Sequence, residues 1–402
     1  MTSPPSPPTE AITLAAWAQG IRPSALQEML MLAARPGLLS FALGLPAPEL
    51  FPLADYAAAA ATVLAAGPGA LQYSPPFRPL KEHVVRLMRR RGVACRAEQV
   101  FLTAGAQQGL NLLARLLLEP GGRVLTEEHC YTGFTQVIEP YRAEVLTVPT
   151  DLDTGMEVDE VARLLAGGGA RPALIYAVTD AHNPLGVSLS AEKRRALVAL
   201  ARRYGVPVVE DDAYGFLSYD GDAPPPLRAL EDEFVFYVGS FSKILAPSLR
   251  VGWLVVPEDL IPKLAIAKEA SDIDTATFTQ RTVAAYLDAG HFDAHLSILR
   301  REYGARRDAM LGALARHFPA GCRYRKPAGG VFVWVELPGA PDTDELLRRA
   351  VEDEGVAFIP GRAFHVGGDG AARAPHAMRL NFSNCTIEKI EDGVARLARV
   401  LR

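Results

Sequence analysis

Hydrophobic residues form four nearly continuous runs in the middle of the chain. The runs are PALIYAVTD (172–180), VPVVEDD (206–212), FVFYVGS (234–240) and LRVGWLVV (249–256). A strand that packs on one side only alternates apolar and polar residues, whereas a strand buried on both faces does not. The stretch AEKRRALVALARRYG lies between the first two runs and has the spacing of an amphipathic helix. The pattern therefore predicts an α/β fold with a mostly parallel central sheet flanked by helices.

The N-terminal third shows the same alternation of element types. The segment VFLTAGAQQGLNLLARLLLEPGG (100–122) predicts a strand, a tight turn and a helix, and RVLTEEH and EVLTVPTD predict two further strands. Helical spacing over 79–91 predicts a basic amphipathic helix. A helix is also predicted over 11–35, ending near Pro36-Gly37.

The C-terminal quarter has a different order of elements. A long helix is predicted over 293–318, then strands in GGVFVWVELP, VAFIPG and MRLNFSN, with helices near 342–354 and 386–402. This order predicts a smaller α+β domain. We expect four segments: a disordered Pro-rich tail (1–10), an N-terminal segment belonging to the small domain (11–50), a large domain (51–292) and the small C-terminal domain (293–402).

Composition narrows the class of protein. The 402 residues carry a net charge of −4, which gives no basic field for nucleic acid or an anionic membrane. No apolar run reaches the roughly 20 residues of a membrane span, and the Pro-rich N-terminus does not have the pattern of a signal peptide. The four cysteines are scattered without a CxxC motif, which favours a reducing cytoplasm and no metal site.

Polar residues follow several of the predicted strands. In open α/β sheets, ligands bind beyond the carboxyl ends of the strands. After strand 100–103 come Gly105, Ala106 and Gln107, where a helix would begin and offer free N–H groups to a phosphate. Asn183 follows the run at 172–180. Each feature also has a plain structural explanation, because strand–helix turns and Asn-Pro turns are common in any fold.

Two further strand ends carry ionisable side chains. Asp211 and Tyr214 follow the run at 206–209, although solvated acids at a helix start would look the same. Lys243 lies in GSFSKILAPSLRVGW among apolar and hydroxyl residues, in a chain where only seven of 42 basic residues are lysines. An amine, a carboxylate and a phosphate-binding turn at one sheet edge are the groups that pyridoxal 5′-phosphate requires.

At these residues the chain resembles the class I/II aminotransferases of fold type I. It is most similar to the branch of the 2-aminoadipate and kynurenine aminotransferases, over residues 20 to 400. The motifs that carry the resemblance occur in order: LLSFALGLPAPELFP, QYSPP, TAGAQQGL, EEHCYTG, HNPLG, VEDDAYGFL, GSFSKILAPSLRVGW, PAGGVFVWVELP, FIPGRAF and MRLNFS.

The resemblance implies three catalytic residues and a cofactor, pyridoxal 5′-phosphate. Lys243 would form the imine with the cofactor aldehyde and then shuttle the proton of the substrate α-carbon. Asp211 would keep the pyridine nitrogen protonated. Tyr214 and Asn183 would bond the phenolic oxygen, and Tyr131 would stack on the ring.

The resemblance also implies the remaining binding residues. The phosphate would be held by Gly105, Ala106, Gln107, Ser240, Ser242 and Arg250. Tyr73 would reach the phosphate of the other subunit, which implies a homodimer with shared active sites. Arg379 would bind the substrate α-carboxylate, with Asn183 beside it, Gly44 allowing close backbone approach and Arg22 as a candidate side-chain contact.

Several positions depart from the family pattern. His129 and Cys130 stand where relatives usually have Pro and a small residue, His182 where Gln is common, and Leu185 where Thr is expected. The family often has an arginine in the N-terminal helix, where this chain has Gly20, with Arg22 displaced by two residues. Because of these departures, the resemblance does not determine which substrate side chain the protein accepts. His291 and His295 have metal-ligand spacing but lack a third ligand, so we expect no metal site.

The leading hypothesis is transfer of an amino group between an L-amino acid and a 2-oxo acid, by a ping-pong mechanism through pyridoxamine phosphate. The alternative is another reaction of the same cofactor, namely elimination, cyclisation, racemisation or decarboxylation. A third possibility is the aminotransferase-like domain of a transcriptional regulator, which the short segment before the family match disfavours. A dinucleotide-dependent dehydrogenase is disfavoured because no GxGxxG motif follows a strand.

Overall fold

The computed structural model describes residues 12–20, 37–367 and 376–401. The predicted tail over 1–10, Arg22 and most of the predicted helix over 11–35 lie outside these ranges. The described part of that helix is not α-helical: it has only the 3₁₀ turn Ala18–Gly20, with Ala18 N–H bonded to the Ala15 carbonyl. Ile12 and Leu14 are exposed there, so this stretch has no packed apolar face to support an α-helix.

The described residues contain fifteen strands and twelve α-helices, together with short 3₁₀ helices. The strands are β1 Leu39–Ser40, β2 Val100–Thr103, β3 Arg123–Glu127, β4 Glu144–Val148, β5 Thr150–Asp151, β6 Gly155–Met156, β7 Leu174–Ala177, β8 Val208–Asp211, β9 Val235–Ser240, β10 Gly252–Val255, β11 Arg323–Tyr324, β12 Phe332–Glu336, β13 Val356–Ala357, β14 Ile359–Pro360 and β15 Ala377–Asn381. The α-helices are α1 Leu53–Ala65, α2 Arg78–Arg90, α3 Ala106–Leu117, α4 Thr132–Ile138, α5 Val158–Ala166, α6 Ala191–Tyr204, α7 Leu227–Leu230, α8 Ile261–Asp272, α9 Thr277–Asp288, α10 Phe292–His317, α11 Thr343–Glu354 and α12 Ile387–Val400. The 3₁₀ helices are Ala18–Gly20, Pro48–Leu50, Pro68–Ala70, Ala97–Gln99, Glu139–Tyr141, Pro247–Leu249, Glu258–Leu260 and Gly361–Phe364.

The large sheet has seven strands in the order β2-β10-β9-β8-β7-β3-β4. Its pairs β4–β3, β3–β7, β7–β8 and β8–β9 are parallel, and the strands β7, β8 and β9 are buried along their full length. Helices cover the sheet, and α3 packs on β8, β9 and β10. The prediction of a mostly parallel sheet flanked by helices is confirmed.

Strand β10 is the exception, because it pairs antiparallel with both β2 and β9. Gly252, its first residue, lies opposite Thr103 and Ser240, the last residues of those two strands. The start of β10 is therefore at the same sheet edge as the ends of β2, β8 and β9. This direction brings Arg250, which precedes β10, to that edge.

A second sheet of four antiparallel strands has the order β11-β12-β15-β14. Among the C-terminal helices, α10 packs on α12, and α12 packs on α11. Strand β1 pairs in parallel with β13, so the N-terminal segment packs on the C-terminal region. This pairing supports the predicted small domain, whose sequence boundaries stay predictions. In the part of the chain that the structure describes, no helix has the length and apolar character required to cross a membrane.

Candidate active site

A cavity of about 330 Å³ lies at the carboxyl-end edge of the large sheet. Its floor comes from that sheet and the turns after its strands, and its wall comes from the C-terminal region. We use "floor" for Ala106, Asn183, Asp211, Ser240 and Lys243, and "wall" for Phe332, Ile359, Ala363, Phe364 and Arg379. Twelve residues singled out in the sequence line this one cavity: Gly44, Ala106, Gln107, Tyr131, Asn183, Asp211, Tyr214, Ser240, Ser242, Lys243, Arg250 and Arg379.

Two other predicted site residues lie outside the cavity lining. Gly105 is the N-cap of α3, immediately beside the cavity, and it has a φ of 87°. Tyr73 is 78% exposed and does not line the cavity of its own chain. Its contact with a second subunit stays a prediction.

Lys243 follows β9 and points across the cavity to the N-terminal segment. Its Nζ donates to the carbonyl oxygen of Gly44 at 2.6 Å. Burial, together with the positive charges of Arg379 and Arg250, lowers the pKa of Lys243 to about 8. More of the amine is therefore unprotonated near neutral pH than in an exposed lysine, and the unprotonated amine is the form that attacks a carbonyl.

Gly44 lies directly against Phe332 of the wall. A Cβ atom at this position would lie 2.6 Å from Cζ of Phe332. Any side chain would therefore displace the ring of Phe332 or the backbone carbonyl that accepts from Lys243. The contact explains why glycine occupies this position.

Asp211 is the last residue of β8, and its carboxylate faces the cavity. The hydroxyl of Tyr176 donates to Oδ2 at 2.8 Å, while Oδ1 is buried and has no partner among the described residues. Burial raises the pKa of Asp211 to about 6. A buried carboxylate oxygen without a donor is costly, and a ligand N–H group at this point would satisfy it.

The other two acids of the EDD stretch face away from the cavity, because side chains alternate along a strand. Glu210 accepts from Thr179 Oγ1 at 2.9 Å and from the backbone N–H groups of Leu227 and Arg228, so it caps the start of α7. Asp212 accepts from the hydroxyl of Tyr237 at 2.9 Å. These two acids are saturated with partners, and only Asp211 is available to a ligand.

An anion-binding corner lies where α3 begins. Ala106 and Gln107 are the first residues of α3, and the first N–H groups of a helix have no partner within it. The hydroxyl of Ser240 accepts from the N–H of Ser242, and the two hydroxyls are 2.9 Å apart. The guanidinium of Arg250 is fixed by its Nη2, which donates to the Ala104 carbonyl at 3.0 Å. Backbone N–H groups, hydroxyls and a guanidinium together suit a phosphate.

Two glycines allow the backbones to meet at this corner. A Cβ on Gly252 would lie 2.7 Å from the carbonyl carbon of Gly105 and 2.9 Å from the nitrogen of Ala106. A Cβ on Gly105 would in turn collide with the guanidinium of Arg250. Close approach of β10 to the start of α3 therefore requires glycine at both positions.

Tyr131 and Tyr214 are the two tyrosines of the cavity lining. The hydroxyl of Tyr131 donates to Gln107 Oε1 at 3.3 Å, and burial raises its pKa to about 12. A side chain at Gly133 would collide with the ring of Tyr131, so Gly133 makes room for it. Tyr214 packs edge-on against Phe332 with the ring centroids 6.0 Å apart, and burial raises its pKa. Both phenols therefore stay protonated at neutral pH.

Arg379 on β15 is the cation of the wall. Its guanidinium carbon lies 4.0 Å from the ring centroid of Phe332 and 4.6 Å from that of Phe364. Nη1 donates to Asn183 Oδ1 at 2.6 Å, Nη2 donates to the Ala42 carbonyl, and Nε is buried with no partner in the described part of the chain. Burial lowers the pKa of Arg379 to about 9, against the attraction of Tyr214 and Tyr131. The guanidinium plane of Arg379 is held in one orientation, which suits a carboxylate ligand.

The residues that depart from the family pattern lie behind the floor. Cys130 is buried, and burial raises the pKa of its thiol to about 12, so it stays a neutral thiol. Leu185 packs in an apolar cluster with Val187 and Trp334. His129 packs against Trp334 and His365, and His182 pairs with Glu127. None of the four lines the cavity.

The sequence analysis missed several residues that shape the site. Tyr176 supports Asp211, and Phe332 and Phe364 hold Arg379 between them. The apolar lining also includes residues with no chemical signature of their own: Leu43, Leu45, Ile359 and Ala363. The sequence did contain one indication of the role of Tyr176, because its hydroxyl is a polar group within an otherwise apolar strand.

The chain matches the family model "Aminotransferase class I and II" over residues 43–397. This match covers nearly the whole of the described structure and every residue of the cavity lining. The chain belongs to the class I and II aminotransferases. The orphaned oxygen of Asp211, the buried amine of Lys243 and the anion-binding corner also fit pyridoxal 5′-phosphate, the cofactor that this aminotransferase uses.

Relatives of the aminotransferase cover almost its full length. It is 39% identical to the 2-aminoadipate transaminase of Thermus thermophilus, over 95% of this chain and 94% of that protein. It is 37% identical to the aromatic-amino-acid aminotransferase 1 of Thermococcus litoralis, over 96% and 93%. The crystal structure of Pyrococcus horikoshii kynurenine aminotransferase matches with a TM-score of 0.90 at 36% identity, over 96% of each chain. The fold-type-I architecture and the transaminase class of this enzyme follow.

Proposed function

We propose that this aminotransferase takes the α-amino group from L-amino acids with apolar side chains and passes it to a 2-oxo acid in the same cavity. The observation that carries the proposal is Arg379, a fixed guanidinium that faces Lys243 across a cavity with otherwise apolar walls. An arginine in this place binds the carboxylate that amino acids and 2-oxo acids share. Both half-reactions can therefore use one binding mode.

The proposal gives each floor residue a defined task. When bound, pyridoxal 5′-phosphate supplies an aldehyde that combines with amines and a ring that withdraws electrons from the substrate α-carbon. Lys243 Nζ takes the α-proton and returns it, after leaving the Gly44 carbonyl. Asp211 Oδ1 would accept a hydrogen bond from the protonated ring nitrogen, and Tyr214 and Asn183 would donate to the phenolic oxygen.

The phosphate and the ring face complete the assignment. The α3 N-terminus with Gly105, Ala106 and Gln107, the hydroxyls of Ser240 and Ser242, and Arg250 would hold the phosphate. Tyr131 would cover the ring. Asn183 contacts Arg379, so the same amide would touch the cofactor and steady the group that binds substrate.

The preference for apolar donors rests on the charges that line the cavity. Among the described residues, the charged side chains of the lining are Asp211, Lys243, Arg250 and Arg379, and each already has a task. The polar lining residue bonded to Arg379 is Asn183, which also has a task, whereas Leu45, Ile359 and Ala363 give the lining apolar surface. The name of the aromatic-amino-acid relative supports an apolar donor, whereas the name of the 2-aminoadipate relative supports an acidic one. Arg22, the predicted contact for an acidic side chain, lies outside the described residues.

The proposal includes a homodimer with shared active sites. Tyr73 is 78% exposed, and Leu71 and Leu53 are each 72% exposed, which leaves apolar side chains uncovered on the single chain. We propose that a second subunit covers them and that Tyr73 reaches its phosphate.

Mixing two inactive variants tests this arrangement. A Tyr73→Ala chain paired with a Lys243→Ala chain has one intact site only if Tyr73 acts across the dimer. We expect mixing and refolding to restore activity that neither variant has alone. No recovery, in mixtures shown to contain mixed dimers, would contradict the shared site.

The proposal also includes a cytoplasmic location. It is supported by the four cysteines, which form no disulfide in the described structure. Fractionation of cells with an antibody to the protein would check it.

The first experiment is the visible absorbance of the purified holoenzyme with single amino acids and no oxo acid. We expect the cofactor band to bleach with aromatic and aliphatic donors, and less with dicarboxylic donors. Stoichiometric 2-oxo acid and pyridoxamine phosphate must appear with the bleaching. A band that shifts without these products would contradict transamination and favour an elimination or racemisation.

A further inference from the structure

Behind the floor of the cavity lies a buried pair, Glu127 and His182. His182 Nε2 is 3.1 Å from Glu127 Oε2, and both side chains are almost fully shielded from solvent. Glu127 ends strand β3, and His182 begins the turn that follows β7, the strand beside β3. The pair therefore joins two neighbouring strand ends.

The hydrogen bonds define the form of the imidazole. The backbone N–H of Leu185 donates to His182 Nδ1 at 3.4 Å, so Nδ1 is the acceptor and Nε2 carries the hydrogen. Nε2 then donates to Glu127 Oε2, while Thr150 Oγ1 donates to Oε1 at 2.8 Å. Both carboxylate oxygens of Glu127 have donors, as a buried carboxylate requires.

The turn held by this pair carries Asn183. His182 N–H donates to the Val187 carbonyl at 2.7 Å, and Gly186 N–H donates to the His182 carbonyl at 2.6 Å. The turn is closed on itself, and the imidazole connects it to strand β3. At its tip, Asn183 Oδ1 accepts from Arg379.

We propose that Glu127 and His182 form a positioning pair that fixes the Asn183 turn, and through Asn183 the guanidinium of Arg379. Neither residue lines the cavity, so both act through Asn183. The inference rests on the proposed function, because it needs Asn183 to contact the cofactor and Arg379 to bind the carboxylate.

A neighbouring histidine adds no charge to the pair. Burial lowers the pKa of His129 to about 4, and His365 and His182 lower it in the same direction. His129 is therefore neutral near pH 7. The pair acts by holding the turn in place and not by its charge. A neutral side chain that keeps the hydrogen bond should therefore keep the turn in place as well.

The test compares disruptive and conservative variants of the holoenzyme. Glu127→Ala and His182→Leu remove the bond, whereas Glu127→Gln and His182→Gln retain a donor and an acceptor. Glu128→Ala removes the adjacent carboxylate, which has no side-chain partner in the described structure, and serves as the control. Three quantities are measured: KM and kcat for an apolar donor, the Kd of 3-phenylpropanoate, and the pH midpoint of the cofactor absorbance. Thermal unfolding of the same samples reports on folding.

Disruptive variants should raise KM and the Kd of 3-phenylpropanoate about tenfold or more, the effect of a lost buried hydrogen bond to a charged group. The change in kcat should be smaller. The pH midpoint should move upward, because the Asn183 amide would no longer be held on the phenolic oxygen. The Glu127→Ala/His182→Leu double variant should be no worse than either single variant. Both Gln variants should stay within about threefold of the wild type.

Three results would overturn the pair. The first is a disruptive variant that matches Glu128→Ala in KM, Kd and midpoint, even if it unfolds at a lower temperature. The second is a Glu127→Gln loss as large as that of Glu127→Ala. The third is additive effects in the double variant. If the cofactor absorbance of the wild-type protein did not change with any amino acid donor, the proposed function would be overturned. This inference would then fall with it.

Discussion

The floor and the wall of the cavity are built in different ways. The floor lies at the strand ends of one sheet, and it offers two groups to a cofactor: Lys243 Nζ, which donates to the Gly44 carbonyl, and Asp211 Oδ1, which has no partner among the described residues. The wall is apolar apart from Arg379, and it comes from a separate antiparallel sheet and the Gly361–Phe364 turn. In the proposed function, the floor therefore carries the chemistry and the wall selects the substrate. Each variant below separates these two tasks.

Removing the floor amine should have the largest effect. Lys243→Ala should lower kcat by about 10⁴-fold or more, at the upper end of what a positioned acid–base group contributes. The wall is untouched, so the Kd of a carboxylate analogue should change little. Stopped-flow turnover, with circular dichroism as the check on folding, measures this. Near wild-type turnover would contradict the assignment of Lys243.

Removing the floor charge should lower turnover and raise stability. Asp211→Asn should lower kcat by about 10³-fold, similar to the loss of one strong electrostatic contact. In cofactor-free protein, the raised pKa of about 6 means that folded Asp211 binds a proton more tightly than unfolded Asp211 does. The wild type should therefore lose about 2 kcal/mol of unfolding free energy as the pH rises from 4 to 6.

The Asn variant lacks this titration and provides the comparison. Cofactor-free Asp211→Asn should be more stable than the wild type at pH 7, and the difference should shrink at pH 4. Urea unfolding at both values measures it. Equal stability of the two proteins at pH 7 would show that Oδ1 is satisfied by another group.

Removing the cation of the wall should affect binding more than chemistry. Arg379→Ala should lower kcat/KM about 100-fold for every amino acid tested, because the carboxylate is common to all of them. The half-reaction at saturating donor should be less affected. Arg379→Lys should recover only part of the loss, since it lacks the bidentate fork. If the loss of kcat/KM in Arg379→Ala differed strongly between amino acids, the substrate α-carboxylate would bind at another residue.

Removing one of the two aromatic rings that contact the Arg379 guanidinium should have the smallest effect. Phe364→Leu keeps an apolar contact but loses the cation–π interaction, worth about 1 to 2 kcal/mol when desolvated. KM should rise about tenfold, with kcat within about threefold of the wild type. Ile359→Leu, also in the wall but without a ring, is the matched control. If Phe364→Leu lowered kcat more than it weakened binding, the Phe364 ring would contribute to the chemical step rather than to substrate binding.

The sequence was sufficient for the floor and insufficient for the wall. Lys243, Asp211 and Ser240 could be predicted because each follows a recognisable apolar strand, and strand ends meet at one edge. The contact of Arg379 with Phe332 and Phe364 depends on how distant segments pack, which no local pattern encodes. The resemblance to the family supplied Arg379 and not its neighbours. The direction of β10 was also missed, because an apolar run has the same appearance in a parallel and an antiparallel strand.

The contact between Gly252 and Gly105 has a consequence for engineering new substrate ranges. No side chain fits where these backbones cross, so saturation libraries at this corner would consist mostly of inactive clones. Ala363 and Ile359, in contrast, line the cavity from the wall and lie outside the anion-binding corner. Directed evolution of this enzyme should therefore hold the corner constant and diversify those two positions.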